Sequence, residues 1–70
     1  MPDKHKVKTL LDNLPVLSDA PSDNKGNLDV KAYNKTKEVK WVIRKLKEEN
    51  VDGAWLRGNG FLIAAMILDI

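Results

Sequence analysis

Val7, Leu10, Leu11 and Leu14 recur at i, i+3, i+4 and i+7, the spacing that lines one face of a helix. This predicts a helix over residues 3–14, with Asp3 as its N-cap and Pro15 as its stop. Residues 16–29 lose all periodicity and are rich in Ser, Asp, Asn, Pro and Gly, so they read as an irregular connection. A short helix over 30–34 follows, capped by Asp29. The strongest pattern is Val39, Val42, Ile43 and Leu46, again i, i+3, i+4, i+7, with Lys, Arg and Glu between them; it predicts the main helix over residues 36–50.

Beyond Asp52-Gly53 the pattern changes. Ala54–Arg57 and Phe61–Ala64 flank Gly58-Asn59-Gly60, glycines that supply the positive φ a tight hairpin needs, and a β-hairpin over residues 54–64 is predicted. Residues 65–70 are apolar at nearly every position, so periodicity leaves strand and helix both open there. The expected fold class is therefore α+β: helices in the N-terminal two thirds, then a C-terminal hairpin.

Length narrows this to one domain, since 70 residues with 43% hydrophobic content bury little more than a single small core. The absence of cysteine removes disulfides and thiolate metal sites, which leaves self-association as the remaining route to extra stability. A homodimer is expected. No apolar run approaches the ~20 residues that span a bilayer, and no signal core follows the N-terminus. No membrane association and a cytoplasmic location are the corresponding expectations.

Net charge is only +2, but its distribution is uneven. Residues 31–47 hold Lys31, Lys35, Lys37, Lys40, Arg44, Lys45 and Lys47 against the single acid Glu38. At about 100° per residue from Val39, Lys37, Lys40, Trp41, Arg44 and Lys45 fall opposite the apolar stripe. That face suits phosphate neutralisation, with Trp41 as a contact platform; equally, the lysines suit a plain solvated face and Trp41 a place in the core.

A main helix opened by Thr36 and Val39, with Leu46 near its end, followed by Arg57-Gly58-Asn59-Gly60-Phe61, resembles the recognition helix and wing of winged helix-turn-helix regulators of the GntR type. The resemblance covers residues 36–64. Upstream, Leu28 to Asn34 keeps only apolar positions of that family's second helix, at Leu28 and Ala32, and lacks its Glu-Leu-Ala stretch and Gly-containing turn. It implies a small winged helix-turn-helix domain acting as a DNA-binding regulator or accessory factor of transcription. Its contacts to double-stranded DNA would come from Lys35, Thr36, Lys37, Lys40, Trp41 and Arg44 on the helix and from Arg57 and Asn59 on the wing. The alternative is a small α+β interaction module or inhibitor, of the kind phages and plasmids encode, docking the same face on an acidic protein.

Catalysis is not expected. His5 is the single histidine and lies near a chain end, and the acids of residues 19–29 are interrupted by Pro21 and Lys25 where a calcium loop needs oxygen ligands. Gly58-Asn59-Gly60 lacks the Lys-Ser/Thr of a phosphate loop. No cofactor and no metal are expected.

Overall fold

The structure is a computed structural model that describes residues 2–70. In order it holds α1 (Lys4–Leu11), one 3-10 turn (Leu17–Asp19), α2 (Val30–Lys35), α3 (Lys37–Glu48), α4 (Gly53–Gly58) and α5 (Leu62–Ile67). The only strand-type pairing among the described residues is an isolated antiparallel bridge between Ser22 and Leu28. The α+β expectation is thus corrected. The domain is helical, residues 54–64 form two helices instead of a hairpin, and there is no wing.

Local chemistry explains the correction. Asp52 does more than turn the chain: its carboxylate accepts from the Trp55 N–H at 2.8 Å, an N-cap that starts α4, as Asp3 and Asp29 start α1 and α2. At the other end Gly60 takes φ +88°. The Phe61 N–H bonds back to the Leu56 carbonyl at 2.9 Å and the Gly60 N–H to the Arg57 carbonyl at 3.4 Å. This 6→1 and 5→2 pair is a Schellman stop, with Gly60 as the left-handed residue after the helix. Positive φ was correctly sensed at this glycine, but it serves a helix end.

The same device closes α3. Asn50 has φ +61°, the Val51 N–H reaches the Leu46 carbonyl at 2.9 Å, and the Asn50 N–H reaches the Lys47 carbonyl at 3.0 Å. Val51 and Leu46, the two ends of the longer bond, are both buried, which is the apolar contact that accompanies this stop. The residues beyond Ala65 also resolve: α5 runs to Ile67, and the chain then extends to Ile70, whose carbonyl accepts from the Gly53 N–H at 3.2 Å. A Cβ at position 53 would stand 3.2 Å from that same oxygen.

One cluster holds these elements together. Val39, Val42 and Leu46 of α3 are fully buried with Val7 of α1 and Leu56 of α4, and Tyr33, Val51, Ala64 and Leu68 complete it. α1 and α2 both pack on α3, and α4 packs on α5. No polar or charged side chain among the described residues is buried outright apart from the Tyr33 phenol, whose hydroxyl donates to the Pro15 carbonyl at 2.9 Å. Segment 16–29 is more ordered than its composition suggests: the Asp23 carboxylate accepts from the N–H groups of Lys25 and Asn27 at 2.9 and 3.0 Å, closing a turn on Gly26.

The two glycines of residues 58–60 should now respond in opposite senses. Gly58 lies inside α4 with nothing within 4 Å of an added Cβ, so Gly58→Ala should stabilise by roughly 0.4–1 kcal/mol. Gly60 has the same open space but positive φ, so Gly60→Ala should destabilise by about 1 kcal/mol. Urea unfolding of both variants checks this, and a hairpin tip would be harmed by either change.

Stability should also fall in alkali. Burial pushes the Tyr33 phenol above its ordinary 10.0, so the folded chain keeps a proton that the unfolded chain releases; this contribution is complete below about pH 10 and disappears as pH rises through the folded value. Lys6 acts in the same direction, raised above 10.5 by its hydrogen bond to Glu49 and by that carboxylate's charge. Tyr33→Phe should start less stable by about 1 kcal/mol, having left the Pro15 carbonyl unpaired. It should nonetheless lose less stability than the parent between neutral pH and pH ~11, and an equally steep loss would refute the role of the phenol.

Candidate nucleic-acid interface

α3 is the longest helix among the described residues and shows two distinct faces. Its inner face is Val39, Val42 and Leu46 with half-buried Ile43, while Lys37, Lys40, Trp41 and Arg44 are exposed on the outer face. At 1.5 Å per residue the stretch from Lys37 to Arg44 covers about 10 Å. These four side chains line one shallow depression. None of its three cations takes part in an ion pair among the described residues, where the pairs are Lys6 with Glu49 and Lys45 with Glu48.

Trp41 lies at the centre. It is 41% exposed, far from the fully buried state that a core role requires. It also borders two neighbouring depressions, one lined with Asn13 and Glu38 and one with Leu10 and Lys45, so one side of the indole leans toward α1 while the rest is open. The Lys45 ammonium stands 5.8 Å from the ring centroid, within cation–π range. Trp55 differs: it is half-buried and stacks on Phe61 with centroids 6.0 Å apart and planes 14° from parallel.

The remaining residues named from the sequence lie elsewhere or are otherwise engaged. Lys35 is exposed at the end of α2. Thr36 is the single residue between α2 and α3, serving as C-cap of one and N-cap of the other. Its hydroxyl donates to the Tyr33 carbonyl at 2.8 Å, which fixes it to the protein. A single-residue junction also replaces the three- or four-residue turn of a helix-turn-helix unit. Arg57 is exposed on α4, and Asn59 caps that helix with its amide donating to the Trp55 carbonyl at 2.8 Å. Neither is a wing residue, and the two wing contacts are withdrawn.

Among the described residues, no three His, Cys, Asp or Glu side chains come together as a metal site would need. No helix among them is long and apolar enough to cross a membrane. The chain matches no family model, and comparison with curated proteins and with solved structures found no match. The resemblance to GntR-type regulators therefore has residues 36–64 alone behind it, and α4 and α5 remove its wing half.

The field around Trp41 is directly measurable. In Trp55→Phe the remaining emission should be red-shifted, and its iodide-to-caesium quenching ratio should exceed that of a free indole, because Lys37, Lys40 and Arg44 concentrate anions at the ring. Trp41→Phe should leave a bluer, better protected signal from Trp55. A ratio no higher than that of free indole would show that the cations create no net positive field there.

Proposed function

We propose that this chain is a small non-enzymatic DNA-binding protein of the cytoplasm that holds the duplex through the outer face of α3. The observation that supports the reading is the row of three unpaired cations, Lys37, Lys40 and Arg44, set about the exposed Trp41. A helix of 10–12 Å diameter fits the ~12 Å major groove, and cations about one turn apart suit phosphates along its wall. Binding through so few contacts is dominated by counterion release. It is weak, fast and tolerant of sequence, the behaviour of an accessory factor more than of a sharply selective repressor.

A second reading has its own support. Trp and Arg, both exposed here, are among the residue types enriched where protein–protein affinity concentrates, and the Lys45 ammonium stands in cation–π range of the indole. On that reading the same face docks an acidic protein.

Titration of a duplex at two or more salt concentrations tests the first reading. Affinity should fall steeply with salt, with a log–log slope near −3 for about three phosphates, and Lys40→Ala/Arg44→Ala should reduce that slope by about 2. Far-UV circular dichroism should not change, since both side chains are exposed. An unaltered slope in the folded double variant would remove α3 from the interface. Absence of duplex binding even at low salt would favour the acidic-protein reading.

A further inference from the structure

α5 is a ridge with a depression on either side. Leu62, Ile63 and Met66 are 56, 64 and 76% exposed, although they occupy one short helix whose inner residue, Ala64, is buried. On one side lies a groove of about 490 Å³ bounded by Leu11, Leu14, Leu17, Phe61 and the near side of α5, with no charged residue in its lining. On the other side lies a hollow bounded by Val30, Lys31, Asn34 and Lys35, and Ile67 borders both. The Cα atoms span only 16 Å in their shortest direction, about the depth of two packed helices. Among the described residues nothing covers the outer side of α5.

We propose that the uncharged groove and the α5 ridge form the interface of a two-fold homodimer, with the ridge of each copy seated in the groove of the other. A ridge beside a groove on one surface is what a self-complementary contact requires, because a two-fold axis brings each feature onto its counterpart. The area is sufficient. Leu17, Leu62, Ile63 and Met66 together uncover on the order of 500 Å², which reaches the upper range for the largest patch on a monomer and exceeds half of the ~800 Å² each partner gives a standard interface. Charge permits this occupant: the groove lining and residues 62–67 carry none, so two copies meet there without repulsion, with Lys31, Lys35 and Asp69 beyond the far side of the ridge, whereas two α3 faces would repel. The inference is independent of DNA binding, and the experiment contains no nucleic acid.

Analytical ultracentrifugation of the full chain is the test. The wild type should sediment as a dimer at micromolar concentration. Ile63→Glu and Met66→Glu, at positions so exposed that a monomer tolerates them, should keep their circular dichroism and weaken dimerisation at least a hundredfold. Monomeric wild type at several hundred micromolar would overturn the proposal. So would a dimer unaffected by Met66→Glu, which would place the interface elsewhere. Co-sedimentation of monomeric wild type with phosphatidylcholine–phosphatidylserine vesicles would overturn it in favour of a lipid surface.

Discussion

None of the five helices is long enough to persist alone, and this makes burial of one face of α3 the condition on which the rest depends. α1 has eight residues, α3 twelve, and α2, α4 and α5 six each, against the ~12–15 at which isolated helices become even marginal in water. Val39, Val42 and Leu46 supply the surface against which the others gain their stability, each burial contributing about 1.5–3 kcal/mol. Leu46 has a double part: its side chain fills the centre while its carbonyl receives the Val51 N–H. The same residue therefore anchors the core and fixes where the chain leaves α3.

That dependence explains what could be read in advance. The apolar stripes of α1 and α3 recur over two turns or more, enough to set both the type of element and its phase. Six-residue helices complete fewer than two turns, and a run such as Ala54-Trp55-Leu56-Arg57 fits alternation as well as it fits a helix. The decision was made by groups outside the pattern, the Asp52 carboxylate at one end and the left-handed Gly60 at the other. A Gly-Asn-Gly triplet announces positive φ without saying which element needs it, since hairpin tips and helix stops use the same backbone region. The uniform apolarity of residues 61–68 concealed the period for a further reason: the outer side of α5 is apolar although the chain does not cover it.

The site divides in the same way. Exposure of Lys37, Lys40 and Arg44 follows from the phase of α3, which the stripe fixes, and so was legible, whereas a large indole at position 41 suited the core as well as the outer face. Thr36 and Asn59 were not. Their polar side chains are held by the carbonyls of Tyr33 and Trp55, partners three and four residues away whose availability depends on where a helix stops. Short polar side chains compete for local backbone groups in this manner. A residue type suited to phosphate contact is therefore weak guidance at a helix end.

The charged face and the apolar ridge are on different helices, so contact at one leaves the other open. They are nevertheless joined through α2. The Asn34 amide donates to the Ile67 carbonyl at 2.7 Å, fastening α5 to α2, and to the Val30 carbonyl of its own helix at 2.9 Å; Thr36 alone separates α2 from α3. The Asn34 side chain is half-buried, and the two bonds of its amide fix its position. With a one-residue junction there is little slack between α2 and α3. One hydrogen bond and one residue of backbone thus lie between α5 and the start of α3, where Lys37 stands.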